Sequence, residues 1–476
     1  DVYKRQDTNK GKEFFENQKL VNLEKIWFHR DSIILNKKPN IKFLKSIEKK
    51  YGINLWQIIY SDQFFNQYNK YYKFKQSEIL SIVEQEIIFY EKVLEDVKPN
   101  FLIIRPTDYS KNQILHQICK AKNIPILTVG QTRLGSNVMI TTENDLLEDY
   151  EKVNNSEENM KKYTWEEMNL LLKTYSKSDA DFFEEYQSSI IKKILATVYY
   201  ITQVRDSNYK NYYEHNGRTL FNILKNEIKF YFEKWKNEKF LENNSIKKIP
   251  LNHKYVYFPL QFEPERSILI AAPFYSNQLE VVKNIAKALP VDYFLYVKEH
   301  PVQSIRGWRN KNYYRQIIEL PNVKFIHHSI SSENLIKNAA LIATITGTAG
   351  LQASLMQKPS IVFAETVYSD LPSVFRVKNM EELPEIISKA LKEKVKLTEV
   401  NNGINEIKQN SFEFNLANLE SKINDNFYYG SYLQDVEIDE NKMKDCLKQN
   451  EVGFKLLANE HKKRIKFHTK DKNANS

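Results

Sequence analysis

The chain has 476 residues, 42% of them hydrophobic, with 70 Lys and Arg against 60 Asp and Glu, a formal net charge of +10. This length and apolar content suffice for about two or three packed domains. The two cysteines, Cys119 and Cys446, exclude a disulfide scaffold or a cysteine-rich metal site and fit a reducing compartment. Basic residues are interleaved with acids, which suits anionic ligands or a membrane surface rather than a dedicated nucleic-acid groove.

No apolar run is long enough for a transmembrane helix. Residues Asp1 to Gln6 read as a remnant or truncation, which leaves a lost targeting signal open. From there the pattern falls into four parts. Residues 12–145 alternate helix and strand. Helical spacing over 41–50 and 78–97 ends at Lys98-Pro99-Asn100, and the apolar run Phe101-Leu102-Ile103-Ile104 reads as a buried parallel strand. Helical spacing over 110–122 and a strand over 124–129 then complete a βαβ unit.

Residues 146–252 are almost wholly helical in pattern, charged and rich in aromatics such as Tyr199, Tyr200, Tyr231, Phe232 and Trp235. They read as a helical insertion or cap. The run 229–239 is expected as a packed amphipathic helix, with a helix lying on a membrane surface as the alternative. Residues 253–391 alternate strands over 255–260, 293–297, 323–326, 341–345 and 360–363 with helices over 277–289, 313–319, 332–338, 350–356 and 381–391. That alternation predicts a doubly wound parallel sheet, which binds ligands beyond the carboxyl ends of its strands. Residues 392–476 read as a helical extension fading into a disordered tail that carries the dense basic run 461–466. The fold class expected is therefore α/β: two Rossmann-like domains facing a cleft, with a helical insertion and a helical C-terminal extension.

The chemistry concentrates between 297 and 363. Val297-Lys298-Glu299-His300-Pro301 ends one strand with a histidine. Ile342-Ala343-Thr344-Ile345 leads through Thr346-Gly347-Thr348-Ala349-Gly350 into a helix, so that backbone N–H groups and hydroxyls stand at a helix N-terminus, where the dipole favours an anion. A histidine and an anion nest on one sheet edge suit the phosphates of a sugar nucleotide. A plain strand-to-helix turn fits the 346–350 spacing as well, and a strand-end cap fits His300. The pattern is not a dinucleotide fingerprint, because the third glycine of that spacing is missing. Lys298 and Glu299 alternate and so face opposite sides. Glu263 and Glu265 follow the first strand of this unit, where either could orient an acceptor hydroxyl or act as a base, and Arg266 could pair with one of them; two exposed loop carboxylates are the alternative. In the N-terminal unit Arg105 and Asp108 follow the strand 101–104, and Arg133 follows the strand 124–129. These are the acceptor-side candidates, with Asp108 the catalytic carboxylate among them. No Asp-x-Asp motif occupies a suitable strand end, so no metal dependence is expected.

Several stretches carry a resemblance: 255–266 (YVYFPLQFEPER), Ala272-Pro273-Phe274-Tyr275, 297–301 (VKEHP), Arg306-Gly307-Trp308-Arg309, Leu320-Pro321-Asn322-Val323, 346–350 (TGTAG), Lys358-Pro359 and Tyr368-Ser369-Asp370-Leu371-Pro372. In this order they resemble the bacterial capsular polysaccharide biosynthesis family, which includes transferases that build the Kdo linker of capsules. Looser matches lie at Lys50-Tyr51-Gly52-Ile53, Lys98-Pro99-Asn100-Phe101 and Gln131-Thr132-Arg133-Leu134.

The resemblance implies a GT-B type glycosyltransferase. Its C-terminal unit would bind the donor through Lys298, His300, Thr346, Gly347, Thr348, Gly350 and Gln352, with the His300 imidazolium neutralising the departing phosphate. Gln352 stands where related transferases often place a glutamate on the ribose, and Ala364 where a glycine is common. The implied co-substrate is a CMP- or UDP-linked sugar with no further cofactor. The implied partners are a glycan or glycolipid acceptor and, peripherally, the membrane or capsule export machinery, with no nucleic acid. The implied location is the cytoplasm or the inner face of the plasma membrane. Alternatives are a sugar-nucleotide epimerase, a teichoic-type polyol-phosphate transferase, and a non-catalytic capsule assembly subunit.

Overall fold

The structure, a computed structural model, describes residues 9–65, 69–143, 146–147, 161–171, 219–250, 253–427 and 437–474, together with Val198, Tyr213, Asn216 and Gly217. Asp1 to Gln6, Tyr199, Tyr200 and most of the expected helical insertion lie outside the described residues.

Local signals set the N-terminal helices. The helix Ile41–Tyr51 starts where the Asn40 side chain accepts the Phe43 N–H, and it stops at Gly52, whose φ of 64° a side chain tolerates poorly. The helix Gln76–Val97 ends at Lys98 in the left-handed region, just before Pro99. Strand β1 (Leu102–Ile103) then pairs in parallel with β2 (Ile126–Gln131) across the helix Ser110–Ala121, the expected βαβ unit. Beyond it the unit departs from a full Rossmann domain. Arg133 and Gly135, at φ 62° and 61°, turn the chain back, so β3 (Asn137–Thr141) runs antiparallel to β2.

The C-terminal unit has six parallel strands: β4 (Lys254–Pro259), β5 (Tyr293–Lys298), β6 (Val323–Ile326), β7 (Leu341–Thr344), β8 (Ser360–Val362) and β9 (Val374–Arg376). Their order is β6-β5-β4-β7-β8-β9, the doubly wound order in which the connections reverse direction between β4 and β7. Alternate residues enter opposite cores, as the pleat demands. Val256, Phe258, Leu295, Val297 and Ala343 pack on one face, and Tyr255, Tyr257, Tyr296 and Ile342 on the other. Strand β9 is additional to the five strands expected; it spans three residues directly after Pro372 and Ser373, too short for a periodicity to register.

The last part corrects the expected disordered tail. The helix Glu451–Ala474 continues through the basic run, where Lys463 pairs with Glu460 at 2.6 Å and Arg464 donates to the Asn410 carbonyl at 3.4 Å. The extension also supplies β10 (Phe412–Glu413), antiparallel to β3, so the N-terminal sheet is mixed and ordered β1-β2-β3-β10. The four sequence parts share one core. Leu134 and Met139, Tyr163 and Met168, Leu351 and Tyr368, and Val400 and Ile404 pack in a single buried cluster.

Candidate functional site

The reversal between β4 and β7 opens a crevice at the carboxyl edge of the sheet. The loop after β4 and the turn after β7 meet there through Gln261. Its side-chain carbonyl accepts the Thr346 N–H at 3.0 Å, and its amide donates to Thr346 Oγ1 at 3.0 Å. Thr346 Oγ1 in turn donates to the Ser267 carbonyl at 3.0 Å. Thr346 is thus a buried frame residue, which corrects its expected place as an exposed donor of the nest. The Gly347 N–H is also turned inward, onto Thr344 Oγ1 at 3.1 Å. Gly350 is required by a close approach: a Cβ there would sit 2.7 Å from the Tyr368 hydroxyl oxygen, which donates to the Gly347 carbonyl. Of the expected nest, Thr348 remains half-exposed. Among the described residues its hydroxyl and amide bond to no protein group, nor does the amide side chain of the half-buried Gln352.

A buried charge frame lies under the neighbouring loops. Arg309 Nε donates to Glu299 Oε2 at 2.7 Å, Arg309 Nη1 lies 2.5 Å from Glu263 Oε2, and Arg309 Nη2 donates to the Gln261 carbonyl at 2.5 Å. The Tyr314 hydroxyl donates to Glu299 Oε2 at 2.8 Å, and the His300 N–H to Glu299 Oε1 at 2.8 Å. Gln278 donates to the Gln261 carbonyl at 2.9 Å and to the Glu263 carboxylate. Burial opposes the Arg309 charge, but Glu299 and the groups beside it hold the guanidinium well above its ordinary value. Glu263, a sequence candidate for acid–base work, is therefore committed to Arg309 and Gln278 and supports the loop. Glu265 is exposed at the loop's rim.

His300 sits on this frame just after β5, largely buried, its ring 6.1 Å from that of Phe262. Its Nδ1 accepts the Val302 N–H at 3.3 Å, so the ring proton belongs on Nε2. Burial, reinforced by the charges of Arg309 and Lys298, pushes the imidazole down to about 4. The ring is neutral at pH 7, which corrects the expected imidazolium; it offers a neutral Nε2–H donor. Lys298 is buried rather than open to the cleft. Its ammonium donates to the Ile330 carbonyl at 2.5 Å and to Ser332 Oγ at 2.9 Å, and burial lowers it to about 8. Lys298, expected at the donor, thus anchors a loop instead, and Glu299 anchors another on the opposite side.

The N-terminal candidates reach the crevice unequally. Arg133 donates across to the Thr346 carbonyl, a direct bond between the two units. Asp108 lies 3.7 Å from Arg266 Nε, so the N-terminal carboxylate faces that arginine at the mouth of the β4 loop. Arg105 instead pairs with Glu420 of the helix Leu416–Phe427, away from the turn after β7. Sequence reasoning missed Gln261, Gln278 and Tyr314 and gave Arg309 no role. A buried Arg–Glu pair ten residues apart leaves no periodic trace, although the Arg306-Gly307-Trp308-Arg309 motif pointed at the position. Among the described residues, the grouping of three metal-capable side chains is Glu242, His327 and His328, near the end of β6.

The family described as capsule polysaccharide biosynthesis protein matches residues 159–372. Protein FixF of Sinorhizobium fredii (strain NBRC 101917 / NGR234) is 31% identical over 134 residues, which are 27% of this chain and 31% of that protein. The chain thus spans about a third of that curated relative. Among solved structures, the β-Kdo 2,7 transferase of Thermosulfurimonas dismutans KpsC aligns at 12% identity, covering 74% of this chain and 87% of that one, with a TM-score of 0.31. The UDP-GlcNAc 2-epimerase of Methanocaldococcus jannaschii aligns at 13% identity over 69% and 79%, with a TM-score of 0.27. The matched segment, residues 159–372, contains the β4 loop, His300 and the 346–350 turn.

Proposed function

We propose that the protein is a glycosyltransferase of capsule or related surface-polysaccharide synthesis that moves a sugar from a CMP- or UDP-linked donor to a glycan or glycolipid acceptor. The observation that carries this reading is the reversal of strand order between β4 and β7, at whose sheet edge stand a neutral His300, after β5, and the Thr348 hydroxyl, after β7, which bonds to no group among the described residues. The family match over the same residues supports it. In this reading the donor phosphates lie against the Thr348 amide and hydroxyl and take the His300 Nε2–H. Gln352 faces the ribose. A neutral imidazole donates a hydrogen bond to the leaving phosphate without first being protonated, so the stabilisation is positional and electrostatic. Glu265 or Asp108 orients the acceptor hydroxyl, and Arg133 couples the N-terminal unit to the donor turn.

No described helix is long and apolar enough to cross a membrane. Action at the cytoplasmic side, where the two buried free cysteines stay reduced, belongs to the same proposal.

The test is a calorimetric screen of CMP, UDP, GDP and CDP, followed by product analysis with and without a glycan or glycolipid acceptor. Nucleotide release that requires the acceptor supports a transferase. Conversion of the donor sugar without acceptor would make the protein an epimerase, consumption of a CDP-alcohol would make it a polyol-phosphate transferase, and no nucleotide binding would leave an assembly subunit.

A further inference from the structure

We propose that Glu242, His327 and His328 form a three-ligand site for a zinc-class divalent cation that clips the helix Leu220–Asn244 to the sheet beside the crevice. One ligand atom from each residue lies within 4.8 Å of the others. Two imidazoles and one carboxylate are a donor set that suits zinc and its neighbours and does not suit magnesium or calcium, which take oxygen ligands. With three protein ligands, a fourth position stays open to water.

The residues are held for this task before any ion arrives. His327 follows β6, where its N–H donates to the Ile246 carbonyl at 3.0 Å while the Ile246 N–H donates to the Phe325 carbonyl at 2.8 Å. The chain leaving the helix is thereby sewn to the strand end, which fixes the separation of Glu242 from the histidines. His327 Nε2 already lies 2.8 Å from Glu242 Oε1, sharing a proton where a cation would sit. Its Nδ1 lies 2.6 Å from Ser329 Oγ, the outer-sphere partner that orients a ligating imidazole. A cation would take the Nε2 lone pair, so the one proton of the neutral ring moves to Nδ1 and is donated to Ser329 Oγ in place of the Ser329 N–H that Nδ1 now accepts at 3.3 Å. The His328 ring stacks obliquely on His327, with centroids 4.1 Å apart.

Glu242 also lies in the last turn of its helix, where the negative end of the helix dipole favours a cation. The competing group is Lys247, 2.5 Å from Glu242 Oε2. Both side chains of that pair are about half exposed, and such pairs contribute little, so the ammonium can retreat to solvent. The loop clipped in this way, 327–332, carries the Ile330 carbonyl and Ser332 hydroxyl that hold Lys298. A metal here therefore stiffens the floor of the crevice and does not enter the chemistry. The inference stands whether or not the chain transfers sugars.

The experiment uses the full-length, untagged chain stripped with chelator and titrated with zinc chloride by calorimetry, with thermal melts run in parallel. Wild type is expected to bind one zinc ion in the micromolar range or tighter and to melt higher with zinc. Glu242→Gln and His328→Ala should each weaken binding about tenfold or more and abolish the zinc-dependent rise, while His461→Ala on the C-terminal helix should change neither. Glu242 is at the surface, so its variant leaves the fold intact, as circular dichroism would verify. Absence of zinc binding in wild type, or wild-type affinity in either ligand variant, overturns the site.

Discussion

Arg309 joins a buried carboxylate, Glu299, to a partly exposed one, Glu263, and no other described cation lies within ion-pair distance of either. Removing it strands those charges in a low-dielectric frame. Arg309→Met is therefore expected to cost about 3–5 kcal/mol of stability, read as a shift of the denaturant midpoint; an unshifted midpoint would show that the frame is solvated. The two threonines of the turn should separate cleanly. Thr346→Val leaves the Gln261 amide and Ser267 carbonyl short of a partner and is expected to lower stability by about 1–3 kcal/mol. Thr348→Val should leave the melt unchanged and weaken nucleotide binding by about 1–2 kcal/mol, the scale of a hydrogen bond to a charged group. Equal nucleotide affinity in wild type and Thr348→Val would remove the hydroxyl from the donor site.

His300 supplies a pH test at the same scale. Its folded value, about 4, lies below the ordinary 6.5, so as pH falls the unfolded chain takes up the proton first. The group's contribution to stability is thus complete above about pH 6.5 and is lost as pH falls towards 4. His300→Gln should lose less stability over that interval, by on the order of 2 kcal/mol after allowance for partial exposure. Parallel stability curves for the two proteins would place the ring in water.

At the scale of elements, the turn between β7 and the helix Ala349–Leu355 is held by contact and not by backbone sign. Gly347 and Gly350 are required because Thr344 and Tyr368 press against them. Gly350→Ala would place its methyl carbon 2.7 Å from the Tyr368 oxygen and 2.8 Å from a ring carbon. The expected cost is about 1–3 kcal/mol of overpacking strain, with nucleotide affinity falling as the turn shifts. A neutral melt and unchanged affinity would show that the helix can slide away from Tyr368. The charged and polar pattern of 451–474 is a related case. Read alone it suggests a tail, yet the segment is helical because its partly buried positions dock on the extension; Arg464 reaches the Asn410 carbonyl.

At the scale of the whole molecule, the C-terminal extension completes the N-terminal sheet. Strand β10 covers the edge of β3, and Glu420 pairs with Arg105. Ending the chain at residue 410 is expected to lower the melting temperature and expose the N-terminal unit to limited proteolysis, because an uncovered strand edge loses its hydrogen-bond partners. Unchanged melting and proteolysis would mean that the extension only decorates the fold.

The order of helices and strands across 253–391 was legible in the sequence because each segment buries its apolar residues at its own period, a local property. So was the place of the crevice, since a parallel sheet puts its loops at one edge whatever the details. The positions of His300 and Thr348 near that edge were legible for the same reason: one follows the end of β5 and the other opens the helix after β7. Tertiary structure alone decided which side chains face outward at that edge. Thr346 and Thr348 are the same residue two positions apart, and only the approach of Gln261 and Ser267 turns one hydroxyl inward. Glu263 and Glu265 differ likewise, because Arg309 arrives from a distant loop to claim the first. The charge of His300 followed from its burial beside that arginine, and the mixed N-terminal sheet from a strand supplied by the far end of the chain. Such outcomes rest on partners remote in sequence, where no spacing rule reaches.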